Sequence, residues 1–168
     1  MNPLLINKRL RIALAACIIA SPLAAIADGN PAEPGMEGIW VTRVTSTATN
    51  PPTTNYSVAT FLPGGQIIED NSQNILRTDA QGEWHKIGPS HYVRSMFFIT
   101  FNPPRTFNGI THVVNDIQLN HAGDEYDALG YVSVYDVNGN LTATRVSPSH
   151  GRRCTVAMTI PQCMGVEP

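Results

Sequence analysis

Apolar and polar positions in this chain alternate with the two-residue period of a pleated strand, in short stretches separated by turn residues. Residues 38–45, Gly-Ile-Trp-Val-Thr-Arg-Val-Thr, are rich in β-branched side chains and predict a first strand. The Gly two places before Trp40 lets the chain turn tightly while the indole drops inward, a way to plug the floor of a barrel. Residues 56–62 and 66–69 predict two more strands, joined into a hairpin by Pro63-Gly64-Gly65. Further strands are predicted over 82–87, 92–101, 110–121, 126–137 and 141–146. A last apolar segment at 154–160 follows the loop-like Ser-Pro-Ser-His-Gly of 147–151. Asn138-Gly139 is a strong hairpin signal, because both residues tolerate positive φ.

The connections agree with this reading. Residues 46–54 are polar and contain the adjacent Pro51 and Pro52, which cannot donate to a ladder, so they form a loop at one barrel end. Residues 70–81 hold only Ile75 and Leu76 as large apolar groups and make the longest loop, either a surface connection or a lid over the barrel mouth. No stretch after the N-terminal segment shows a period of 3.6. Roughly eight to nine strands separated by turns predict an all-β fold. An antiparallel up-and-down barrel of about eight strands is favoured over a sandwich, because consecutive hairpins suffice and closure leaves no edge to protect.

Residues 92–101 are the most apolar strand and carry large groups on both faces. Val93, Phe97, Ile99 and Phe101 share one face; Tyr92, Arg94, Met96, Phe98 and Thr100 share the other. Such a strand suits an inner face toward a cavity and an outer face partly covered by a loop, a helix or a neighbouring subunit, as in a homodimer. In 126–137, Tyr131, Ser133 and Tyr135 oppose Val132 and Val134.

The N-terminus changes the picture of location. Lys8, Arg9 and Arg11 precede an apolar run over 12–26, and Ala25-Ile26-Ala27 fits a signal-peptidase site, so residues 1–27 read as a cleaved secretory signal. The run is shorter than the roughly 20 apolar residues a bilayer requires and contains Pro22, so no membrane span is expected after cleavage. Leu14-Ala15-Ala16-Cys17 is like a lipobox, but too few apolar residues precede Cys17 for lipidation to be preferred. Residues 28–36, with Pro31, Pro34, Gly29 and Gly35, form a linker, and 37–168 a single domain. A periplasmic or extracellular protein results.

Without the signal the chain has 8 basic against 13 acidic residues, a net charge of −5. That balance argues against nucleic acid as a partner, which needs clustered Lys and Arg. Cys154 and Cys163 remain, and an even pair in an oxidising compartment most simply closes a disulfide that pins the C-terminal tail.

Motifs for chemistry are sparse. His85, His91, His112, His121 and His150 show no ligand spacing, and His112 and Asp116 on one strand face are roughly 13 Å apart, so no metal site is expected. Asp136-x-Asn138-x-Asn140 has its Gly at the wrong place for a calcium loop and reads better as a turn. There is no Gly-x-Ser-x-Gly elbow and no phosphate loop, and nothing implies a cofactor.

Gly38-x-Trp40, Phe61-Leu62-Pro63-Gly64-Gly65, Gly82-Glu83-Trp84 and Gly88-Pro89-Ser90-His91-Tyr92 together resemble small secreted bacterial lipocalin-like, calycin-type barrels over most of residues 37–147. The resemblance implies a closed barrel that binds a small apolar or amphipathic molecule inside. Trp40, Tyr56, Trp84, Tyr92, Arg94, Phe98 and Tyr131 are the candidate ligand-binding residues, with Trp40 as the floor and Arg94 as the anchor for an acidic group. An exposed Arg94 would refute that last role. Two alternatives stay open: a cyclase or isomerase that folds a hydrophobic substrate in the same cavity, and a structural or surface-interaction module with a filled core.

Overall fold

The structure, a computed structural model, describes residues 35–47, 50–72 and 75–166. The predicted signal, Cys17 and most of the linker lie outside the described residues. Eight strands follow in order: β1 (Gly38–Ser46), β2 (Thr53–Phe61), β3 (Gln66–Asn71), β4 (Ala80–Gly88), β5 (His91–Asn102), β6 (Thr106–Leu119), β7 (Glu125–Tyr135) and β8 (Leu141–Cys154). Each pairs antiparallel with the next, and β8 pairs with β1, closing the expected up-and-down barrel. Alternation along each strand sorts the side chains. Trp40 and Thr42 of β1, Ile67 and Glu69 of β3, and Tyr92, Arg94 and Met96 of β5 are buried inside, while Ile39, Ile68 and Phe97 face out.

Three local expectations need correction. Residues 147–151 are not a loop: β8 continues through them, with Pro148 opposite Leu129. Pro148 lies one residue beyond the last β1 partner pair, Val44 and Ser149, where the seam is continued by side chains instead. Ser147 Oγ donates to Thr45 O at 3.0 Å and Thr47 Oγ1 to Val146 O at 2.8 Å. The apolar segment at 154–160 is not a strand of its own: Cys154 ends β8, and 155–159 turn into a short helix, α1 (Ile160–Met164). Thr159 and Gln162 make a reciprocal capping box and Pro161 sits in the first turn, so the helix start was written in Thr-x-x-Gln rather than in any hydrophobic period. The β7–β8 turn spans five residues, and only Gly139 takes a positive φ, of 82°.

The described part of the β3–β4 link is more than a surface connection. Residues 76–78 run along the end of β5, where Thr78 N donates to Ile99 O at 3.0 Å and Phe101 N to Leu76 O at 2.9 Å. Arg77 forms a bridge with Thr100 there.

One end of the barrel is filled. Trp40, Phe61, Ile67, Tyr92, Ile117, Leu119 and Tyr126 form a continuous buried cluster, closed from below by Met36. The Trp40 indole donates to Met36 O at 2.8 Å and packs against Tyr126 with ring centroids 5.1 Å apart. Arg153, the β8 partner of Trp40, lays its guanidinium 4.5 Å from the indole centroid. It donates to Gly123 O at 2.7 Å and to the carbonyls of Glu37 and Gly35. The outside of this end is stapled by the disulfide Cys154–Cys163, with Cα atoms 5.1 Å apart, which holds α1 to the end of β8.

Arg153→Met keeps the aliphatic contact with Trp40 and removes the charge and its donors. It should lower the unfolding free energy by about 2–3 kcal/mol, from the cation–π contact and charged hydrogen bonds together. Urea melts followed by Trp fluorescence measure this, and a change below about 0.5 kcal/mol would contradict the floor assignment.

The β7–β8 turn makes a second prediction. The Asp136 carboxylate accepts from the Asn140 side chain at 3.1 Å and from the Asn140 and Asn138 backbone at 2.9 and 2.8 Å, which lowers its pKa below the ordinary 3.8. A group whose folded pKa is depressed stabilises fully above its unfolded value, and the contribution is lost as pH falls through the folded one. The carboxyl carbon shift of Asp136 should therefore titrate with a midpoint below 3.8, and a midpoint at or above it would contradict the turn geometry.

Candidate functional site

The interior changes character along the barrel axis. Tyr126 marks the boundary: its hydroxyl shares a 2.7 Å hydrogen bond with Thr42 Oγ1, and burial raises its pKa, so the phenol stays neutral. Toward the other end the lining turns polar around a cavity of about 150 Å³ bounded by Glu69, Arg94, Asn115 and Ser149, with Met96 and Val113 as apolar wall. A mouth chamber of about 300 Å³ adjoins it. The two share Arg77, Phe98, Val132 and Arg145, and the mouth adds Leu76, Phe101 and Val134. The inner cavity is ring-sized, comparable to an engineered cavity that holds benzene, and the mouth is at the low end of small-ligand sites.

Strand register delivers these groups. Glu69 follows Ile67 by two on β3 and so points inward with it. Arg94 and Asn115 are partners across β5 and β6, which lets Arg94 Nε donate to Asn115 Oδ1 at 2.9 Å. Asn115 in turn faces Gly130 on β7. A Cβ at Gly130 would lie 2.8 Å from Asn115 Nδ2 and 3.0 Å from Ser147 O, so glycine is what leaves room for the amide. Arg77 arrives from the link, held by its Nε bond to Thr78 O at 3.0 Å, with its guanidinium stacked 3.8 Å over the Phe98 ring.

The electrostatics are lopsided. Glu69 Oε2 lies 3.1 Å from Arg94 Nη1 and Oε1 lies 3.8 Å from Arg77 Nη2, so one carboxylate serves two guanidiniums. Neither contact has hydrogen-bond alignment. Arg94 Nη1, Arg77 Nη2, Glu69 Oε2 and Ser149 Oγ accordingly make no hydrogen bond to the protein. Arg94 is 2% exposed and Glu69 4%. Burial lowers the pKa of Arg77, Glu69 opposes the shift, and the guanidinium stays charged at neutral pH. Arg145 adds a third guanidinium to the lining, with no ion-pair partner among the described residues.

The seven residues singled out from sequence divide three ways. Arg94 and Phe98 line the cavity, and Arg94 is buried as its anchoring role requires. Trp40, Trp84 and Tyr92 lie in the filled end, where the Trp84 indole donates to Leu62 O at 3.2 Å and Gln66 O at 3.1 Å. Tyr56 and Tyr131 are on the outside. Tyr56 sits between the inward Asn55 and Ser57 on β2 and borders an external groove with α1 residue Met164. Tyr131 is 52% exposed, because the inward face of β7 is the one carrying Gly130 and Val132. The polar residues missed from sequence are Glu69, Arg77, Asn115, Arg145 and Ser149.

The Ser149 hydroxyl in this chamber is not activated, having no hydrogen-bonded base. The histidines pair elsewhere. His91 Nε2 is 2.7 Å from Asp116 Oδ1, His150 Nδ1 is 2.9 Å from Asp127 Oδ1, and His112 stacks on Phe97, on outward strand faces. Among the described residues no group of three His, Cys, Asp or Glu side chains is placed to hold a metal ion. No family model matches this chain, and no curated protein or solved structure proved similar to it.

Proposed function

We propose that this protein is an exported, lipocalin-like barrel that holds a small amphipathic molecule in the polar cavity and mouth at its open end. One observation carries the reading: the interior is packed with aromatic and aliphatic side chains at one end, yet lined at the other by buried polar atoms that make no hydrogen bond to the protein, the Glu69–arginine ion pairs included. Each such atom costs about 1–3 kcal/mol if left unpaired, so a polar ligand group is the natural partner. Phe98, Val132 and Val134 then suit the ligand's apolar part. Export is supported by the signal-like N-terminus and by the disulfide, a bond that persists in oxidising compartments. No helix among the described residues is long and apolar enough to cross a membrane.

The test is native mass spectrometry of the protein purified from its own host, beside a Val132→Trp variant that plugs the junction of cavity and mouth. The natural protein should retain a small molecule and the variant should lose it. The variant should fold at a cost of about 1–3 kcal/mol from overpacking, read as an unchanged far-ultraviolet circular dichroism spectrum. A ligand-free mass for both, with no Trp fluorescence response to amphipathic acids and alcohols, would sink the reading in favour of a filled barrel that works through its outer surface.

A further inference from the structure

The charge count inside the barrel narrows the ligand class. Although the chain as a whole is acidic, its cavity carries Arg77, Arg94 and Arg145 against the single carboxylate of Glu69. Arg94 and Arg77 each turn a terminal nitrogen toward Glu69, at 3.1 and 3.8 Å, that makes no hydrogen bond to the protein. Glu69 already demonstrates the geometry of the seat, directing one oxygen at each guanidinium. Asp70 and Asp79 also act on Arg77 but are not among the residues lining the cavity, so within the lining a second carboxylate would bring Arg94 and Arg77 to neutrality with Glu69. Guanidinium nitrogens match the planar two-oxygen acceptor of a carboxylate better than they match a hydroxyl or an ether.

We propose that the ligand is an amphipathic monocarboxylic acid, bound head-inward with its carboxylate shared between Arg94 and Arg77 beside Glu69 and its apolar part on Phe98 and Val132. This rests on the barrel-binder reading above and adds to it the charge, the orientation and the two residues that read them. Arg77 enters from the link between β3 and β4, so the same segment that borders the mouth supplies half of the seat. Glu69 acts as the stand-in anion that keeps the empty seat tolerable. Arg145, at the mouth and exposed, attracts the head group on entry without holding it.

The experiment compares 4-phenylbutyrate with 4-phenylbutan-1-ol, and hexanoate and octanoate with their alcohols, by isothermal titration calorimetry at neutral pH. The acids should bind at least about tenfold tighter than the alcohols, the discrimination expected of a charged hydrogen bond. Glu69→Gln should lower the melting temperature of the free protein and tighten acid binding by about fivefold or more, leaving the alcohols unchanged. Arg145→Gln, an exposed change that does not threaten folding, should weaken acid binding by about two- to fivefold at low salt, with the difference vanishing at high salt.

Equal affinity for acid and alcohol would overturn the carboxylate seat while leaving the binding barrel standing. Failure of every probe to bind would overturn both. Tighter acid binding that is unaffected in both variants would overturn the assignment of the head group to this end of the barrel.

Discussion

The barrel depends on the seam where its last strand meets its first. β1 and β8 are adjacent only after everything between them has folded, and the pair that secures them is Trp40 with Arg153. The guanidinium lies over the indole and ties down the carbonyls of Gly35, Glu37 and Gly123, so the entering chain, the β6–β7 turn and the final strand meet at one cation. Burial lowers the pKa of Arg153, the signature of a charge drawn partly out of water, and the nearby Asp124 carboxylate opposes the shift. Beyond Ser149 the same seam loses its β1 ladder and is held by Ser147 and Thr47. The closed end is thus stitched by backbone and a cation, and the open end by hydroxyls.

That asymmetry runs through the interior. Near Trp40, Phe61 and Tyr92 the side chains fill the barrel, and their burial supplies most of the hydrophobic stabilisation. Above Tyr126 the bulk gives way to Arg94, Glu69, Asn115 and Ser149, which do not fill space well and satisfy one another only in part. A protein selected for stability alone would gain by replacing such a cluster with packed apolar residues. Its occurrence on four different strands that converge on one cavity supports the proposed reading of the open end as a site. Gly130 sharpens the point, since its missing Cβ makes room for Asn115 instead of for packing.

Much of the site was within reach of the residues themselves. Glu69 lies two places after Ile67 and Asn115 two before Ile117, so each shares a face with a core residue, and a polar side chain at inward parity is a readable signal. Arg94 was found that way, from the mixed face of β5. Tyr56 and Tyr131 were misassigned because aromatic character was weighed above parity: in the open half of β7 the rings Tyr131 and Tyr135 lie on the outer face, and the inner one, which begins at Tyr126, carries Gly130, Val132 and Val134 there. In a narrow barrel the inward face has less room, so size alone points the wrong way.

By itself the chain determined the class of fold, because a two-residue period interrupted by Pro and Gly turns admits strands and little else, and eight such strands joined by hairpins close on themselves. It also determined the disulfide pair and which residues share a face on each strand, which local alternation dictates, but not which face points inward. Only the tertiary structure decided which end is filled, how Arg77 reaches the cavity from a link with no periodicity, and that one carboxylate faces two guanidiniums. Those facts depend on the stagger between strands far apart in the chain. Register across a closed sheet is set by all eight pairings at once, so no single segment contains it.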